Sequence, residues 1–251
     1  MTVALMKKIN GLFAGLCVCG GLTLTAHAQV NTVKIMPMGD SVTARGSSPE
    51  SSYRYWLWKD LQDAGFNNFV FLGNQNGVSD GAPANSWPEE HYEGGGPSND
   101  AWTSANGVNA APSAARSTPD FLILDLGSND IINDIDPATT QANLQSIIET
   151  FAAANPNIII LLAKPTSFAV DPTATSQEKR LERRQQSQLA GMAAKLGKAE
   201  KKAGINVVVV NQFGGYNVRT DTKDGTHPNI RGEQKIARKY FAVLKKYMKK
   251  M

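Results

Sequence analysis

Three short blocks of the chain carry residue types that could do chemistry together: Gly39-Asp40-Ser41, Gly127-Ser128-Asn129-Asp130 and Asp224-Gly225-Thr226-His227-Pro228. A serine hydroxyl is a poor nucleophile unless a base takes its proton, and neutral imidazole suits that work near neutrality. Of the three histidines, His27 lies in the N-terminal segment, His91 sits in a glycine-rich stretch, and His227 follows a carboxylate by three positions. On a tight loop that spacing lets Asp224 reach one imidazole nitrogen and fix the tautomer. The other nitrogen is then left for Ser41. The chemistry this predicts is nucleophilic attack by Ser41 on a carbonyl, with Asn129 an amide donor that could converge on the same rim.

Each block also has a plainer reading. Gly, Asp and Ser are ordinary turn residues, so Gly39-Asp40-Ser41 could be only a tight strand-to-helix turn. Asn129 could cap a helix. Asp40 and Asp130 are read as loop-fixing acceptors of backbone N–H groups. A metal site assembled from Asp40, Asp130, Asp224 and His227 is chemically conceivable, but a serine triad needs fewer coincidences and no cofactor.

The elements that must position these residues are legible as an alternation. Near-continuous apolar runs at 33–38, 69–72, 121–126, 158–163 and 207–210 have the character of parallel strands covered on both faces. Helical patterns occupy about 53–64, 138–153, 177–203 and 230–248, the last with Ile236, Tyr240, Phe241, Leu244 and Tyr247 on one stripe. Strand and helix in turn predict a three-layer α/β domain. In such a sheet ligands bind at the carboxyl ends of the strands, where all three blocks fall. The stretch 79–119 is rich in Gly, Asn, Ser and Pro and reads as one long loop, of the length that is usually functional or disordered.

The ends and the composition narrow the setting. Lys7 and Lys8 precede an apolar run from 12 to 24 that closes on Ala26-His27-Ala28, the pattern of a secretory signal with an A-x-A cleavage site. The expectation is a signal over 1–28 and one domain over 29–251, secreted or periplasmic. No later run is long enough to predict a membrane span. Both cysteines, Cys17 and Cys19, fall inside the signal, so no disulfide, thiol nucleophile or Cys-bound metal is expected in the mature protein. Loss of Lys7 and Lys8 halves the net charge of +4. The remaining cluster Lys245, Lys246, Lys249 and Lys250 reads as a solvated helix end opposing the helix dipole, with no nucleic-acid role.

Taken together the blocks resemble the SGNH hydrolases, also called GDSL esterases and lipases. Met38-Gly39-Asp40-Ser41-Val42-Thr43 looks like the family's first block, Gly127-Ser128-Asn129-Asp130 like its G-x-N-D block, and Asp224-Gly225-Thr226-His227-Pro228-Asn229 like its D-x-x-H block. The resemblance implies a flavodoxin-like fold with a five-stranded parallel sheet and a Ser41, His227, Asp224 triad. It also implies an oxyanion hole from the Ser41 N–H, the Asn129 side chain and a third N–H. The third donor is where the sequence departs from the family, whose glycine block here reads Glu93-Gly94-Gly95-Gly96-Pro97-Ser98-Asn99-Asp100-Ala101-Trp102. Alignment on Trp102 places Ala101 in that role; alignment on Glu93 gives Gly95 or Gly96.

Within the superfamily the chain is most similar to acetyl xylan esterases of the third carbohydrate esterase family, on Ile35-Met36-Pro37-Met38-Gly39-Asp40-Ser41, Tyr53-Arg54, Glu93-Gly94 with Trp102, and residues 220–229. This implies deacetylation of carbohydrates, with Trp102 expected as a wall of the substrate site. The alternatives are a lipase or lysophospholipase, and a carbohydrate-binding protein that has lost turnover.

Overall fold

The computed structural model describes residues 32–44, 52–73, 75–76, 90–91, 102–170 and 172–250. The expected signal over 1–28 lies outside these residues. In chain order the elements are β1 (Val33–Gly39), α1 (Ser41–Ala44), α2 (Ser52–Asp63), β2 (Phe69–Phe71), β3 (Gln75–Asn76), β4 (Glu90–His91) and α3 (Ser104–Ala114), followed by a 3-10 turn Ala115–Ser117. Then come β5 (Phe121–Asp125), α4 (Ser128–Ile132), α5 (Pro137–Ala154), β6 (Ile159–Lys164), α6 (Ser176–Lys202), β7 (Asn206–Asn211), α7 (Val218–Asp221) and α8 (Ile230–Met248).

Five strands form one all-parallel sheet in the order β2-β1-β5-β6-β7, and β3 pairs with β4 antiparallel apart from it. This is the expected three-layer α/β architecture of the SGNH hydrolase fold. The chain steps from β1 outward to β2 and then returns to the other side of β1 for β5, so the strand order reverses between β1 and β5. That is the position where an open parallel sheet leaves a crevice for ligands. Gly39 and Asp125 are in register there, which sets the residues that follow the two strands side by side.

Alternation along the strands divides the core. Met36, Met38, Leu122, Leu124, Ile160 and Leu162 face a layer containing Ile147 and Phe151 of α5 and Leu196 of α6. Ile35, Phe121, Ile123 and Leu161 face Leu57 and Leu61 of α2 and Ile236, Tyr240 and Leu244 of α8. Both faces are buried, which is why the strand runs contain so few polar residues. The longest helices start on sequence signals that satisfy their first N–H groups. Asp136 accepts from Ala138 and Thr139 ahead of Pro137, Thr175 and Glu178 form a capping box, and Asn229 accepts from Gly232.

The stretch 79–119 is not all loop, because α3 and the 3-10 turn occupy its second half. Its helical face is made of Gly107, Ala111 and Ala114, residues too small to give an amphipathic signal, and Pro112 lies inside it. The small face is what the packing requires: a Cβ on Gly107 would stand 2.7 Å from Ile147 Cδ1 and 2.8 Å from Leu126 Cδ1. Among the described residues no helix is long and apolar enough to cross a membrane.

Candidate active site

Ser41 follows β1 directly and opens α1. The turn is closed by Asp40, whose carbonyl accepts from the Thr43 and Ala44 N–H groups at 2.9 and 3.0 Å and whose carboxylate accepts from the Val42 N–H at 2.9 Å. Asp40 thus fixes the loop, as its sequence position suggested. Gly39 is required by space, since a Cβ there would overlap Thr43 Oγ1 and come within 2.8 Å of the Asp125 carbonyl. Beneath the turn, the buried Arg54 guanidinium donates from Nε to the Thr43 carbonyl at 2.7 Å and from Nη2 to the Ala44 carbonyl at 3.2 Å. Arg54 therefore ties the end of α1 to α2 and holds the segment that carries Ser41.

His227 Nε2 stands 3.0 Å from Ser41 Oγ, and His227 Nδ1 stands 2.7 Å from Asp224 Oδ2. With the proton on Nδ1 donated to Asp224, Nε2 is the acceptor for the serine hydroxyl. Asp224 also accepts through Oδ1 from the His227 and Thr226 N–H groups at 2.7 and 2.9 Å. Burial acts to raise its pKa, but those hydrogen bonds, from the backbone and ring of His227 and from Thr226, outweigh it and hold the carboxyl down at about 2. An anion is thereby kept beside the imidazole where a positive charge would develop.

The loop bearing this pair is braced by its own backbone. Thr222 bridges Pro228, Lys223 N–H donates to the His227 carbonyl at 2.9 Å, and Asn229 donates from its side chain to the Thr220 and Thr222 carbonyls, each at 3.1 Å. Under it lies the fully buried Asp221, which accepts from Lys235 at 2.6 Å and from the Asn217 N–H at 2.7 Å and pairs with Arg231 at 3.2 Å. Burial opposes ionisation of Asp221, yet the Lys235 ammonium, the Asn217 N–H and the Thr220 hydroxyl hold its pKa below the usual carboxylate value.

Asn129 lies inside α4, where Gly127 occupies the cap position, so Asn129 does not cap that helix. Its Nδ2 donates to the Trp102 carbonyl at 3.2 Å. Asp130 is buried and accepts from the Ser104 N–H at 2.9 Å, from the Ser104 hydroxyl and from Thr140 Oγ1 at 3.0 Å. It fastens the start of α3 to α4 and α5, the structural role read from its position. The carboxylates of Asp40 and Asp130 are turned to backbone or hydroxyl donors, and that of Asp224 to backbone N–H groups and the His227 ring. Among the described residues no three His, Cys, Asp or Glu side chains are grouped to hold a metal.

One expected site residue is corrected. Trp102 is 1% exposed and belongs to the core cluster with Leu126, Ile147 and Ala111, so its ring fills space under α3 and is no substrate wall. What Trp102 offers the site is its backbone carbonyl. Ala101, Gly95 and Gly96, the candidates for the third oxyanion donor, lie outside the described residues. Trp56 and Trp58, which two positions apart on a helix cannot share a face, are both partly exposed, and Trp56 Nε1 donates to Glu233 at 3.0 Å.

A buried polar cluster behind the site has no counterpart in the sequence reading. Tyr240 donates to Asp125 at 2.9 Å, its ring lies 5.2 Å from that of Tyr53, and Tyr53 Oη is 3.2 Å from Thr43 Oγ1. Its one legible sign was a carboxylate, Asp125, inside an otherwise apolar strand run.

A parallel sheet reversing between β1 and β5, with a serine, a histidine and an aspartate in one hydrogen-bonded line at its carboxyl edge, defines an α/β acyl-transfer hydrolase. The model of the GDSL-like lipase/acylhydrolase family matches residues 38–235, and the chain belongs to that family. It is a carboxylic ester hydrolase. Among solved structures, a carbohydrate esterase family 3 protein from Talaromyces cellulolyticus is similar at 20% identity, TM-score 0.70, over 87% of this chain and 99% of that one. A family 3 carbohydrate esterase from Clostridium thermocellum is similar at 23% identity, TM-score 0.67, over 87% and 98%. An acetyl xylan esterase is similar at 18% identity, TM-score 0.61, over 84% and 100%. At these identities the likenesses speak for the fold. No curated protein matches the chain.

Proposed function

We propose that the protein is an exported serine esterase that removes short acyl groups, acetyl above all, from carbohydrates. The observation that carries the reading is the continuous line from Asp224 through His227 to Ser41, with contacts of 2.7 and 3.0 Å. His227 Nε2 takes the Ser41 proton as Oγ attacks the ester carbonyl, and the oxyanion is met by the Ser41 N–H, the Asn129 amide and a third N–H, that of Ala101 or of Gly95 or Gly96. His227 then gives its proton to the leaving alcohol oxygen, and the acyl-serine ester forms. A water that loses a proton to the same nitrogen attacks that ester, the acid departs, and the proton returns to Ser41. Asp224 holds the tautomer and offsets the charge on the imidazolium.

The carbohydrate assignment is supported by the solved structures whose names are carbohydrate esterase and acetyl xylan esterase, and by the signal-like residues 1–28, which place the mature protein, starting at Gln29, where polysaccharide is met. The test is kcat/KM across acetyl, butyryl and octanoyl esters, acetylated xylan and a phospholipid. Acetyl esters and acetylated glycan leading the series is the expected result. A lead for octanoyl or phospholipid substrates would replace this reading with a lipase.

A further inference from the structure

An open groove of about 500 Å³ lies at the carboxyl edge of the sheet beyond β6 and β7. Its floor and walls are Phe168, Val170, Phe213 and Val218, and its rim carries Arg183 of α6 and Arg219 of α7, both exposed. None of the described residues lining it is acidic. The groove is preformed, because the buried Gln186 clamps the Phe168 backbone, accepting from its N–H and donating to its carbonyl, both at 3.2 Å.

This groove is joined to the catalytic loop. Ala169 N–H donates to the Gly225 carbonyl at 2.6 Å, and Gly225 has φ +93 with only 2.8 Å from its would-be Cβ to Ala169 Cβ. Two residues further on, His227 reaches Ser41. The leaving alcohol must lie on the His227 side of Ser41, because Nε2 delivers its proton to that oxygen. The alcohol portion of the ester therefore lies on the side of Ser41 that carries this loop, the loop whose Gly225 meets the groove at Ala169.

Resting on the carbohydrate reading above, we propose that this groove is a subsite for an anionic saccharide unit, one bearing a carboxylate such as a uronic acid, in the alcohol portion of the substrate. The apolar floor packs a sugar face. The two guanidinium groups present planar donor forks that match a carboxylate, a geometry that lysine does not offer. A long acyl chain gains nothing from the two cations at the rim.

The experiment compares acetate release from acetylated xylan carrying glucuronic acid branches with release from the same polymer after its carboxyl groups are reduced, by the wild type and by the double variant Arg183→Gln, Arg219→Gln. A charge-assisted contact that is partly solvated gives a preference on the order of 10-fold in kcat/KM for the acidic polymer. That preference should shrink at high salt, and fall to about 1 in the double variant. Hydrolysis of 4-nitrophenyl acetate, too small to reach the groove, should stay unchanged in the variant. Equal wild-type rates on the two polymers, or a preference that survives the double substitution, overturns the subsite and leaves the carbohydrate reading intact. Release from neither polymer, with the small ester still cleaved, overturns the carbohydrate reading and the subsite with it.

Discussion

Tyr240 donates its hydroxyl hydrogen to Asp125 at 2.9 Å, beneath the paired strand ends that carry Ser41 and Asn129. Burial pushes the Asp125 carboxyl up to about 6, and the hydrogen bond from Tyr240 offsets part of that rise. The folded protein therefore holds this proton more tightly than the unfolded chain, whose Asp titrates near about 3.9. Stability from this group is complete below that unfolded value and is lost as pH rises through about 6.

Asp125→Asn keeps an acceptor for Tyr240 and removes the charge. By calorimetry it should melt higher than the wild type at pH 8, by roughly 2–4 °C for each kcal/mol recovered, and at the same temperature at pH 4. An equal gain at both values would mean the carboxylate carries no buried-charge penalty.

The Asp224 carboxyl, held at about 2, remains ionised through the working range. It therefore stays an anion able to hold the His227 tautomer in which Nε2 accepts the Ser41 proton. Asp224→Asn can still accept the two backbone N–H groups but no longer fixes the tautomer, so kcat should fall by about 10²- to 10⁴-fold with the fold retained. An unchanged kcat in Asp224→Asn would remove Asp224 from the triad.

Asn129 is not a helix cap, and its amide is aimed at the Trp102 carbonyl beside the site. Asn129→Ala should preserve the melting temperature within a few degrees while kcat falls by about 10²- to 10³-fold, the cost of one oxyanion donor. Stopped kinetics with circular dichroism on the same sample separate the outcomes. Unfolding without a specific loss of kcat would make the residue structural.

The blocks after the strands were legible because each combines two local signals, an apolar run and a polar turn at its end. The Asp224 and His227 contact follows from three-residue spacing alone, whereas the Ser41 contact spans 186 positions and could be read only from the blocks as a set. Helix α3 escaped notice because its buried face is Gly107, Ala111 and Ala114, whose small side chains leave no hydrophobic period. Trp102 was misread for a related reason: residue type shows what a ring can do, and only packing shows which way it points. Asp125 stood out as a carboxylate in an apolar run, but Tyr240 read only as part of the α8 stripe, and their hydrogen bond joins residues 115 positions apart.

The account rests on Ser41 as the nucleophile, and active-site labelling tests that directly. The mature protein is treated with a fluorophosphonate, digested and sequenced by mass spectrometry, alongside Ser41→Ala and His227→Ala. One modified serine, Ser41, is expected, with labelling abolished in Ser41→Ala and strongly slowed in His227→Ala. Stoichiometric labelling of a different serine, or full esterase activity in Ser41→Ala, would contradict it.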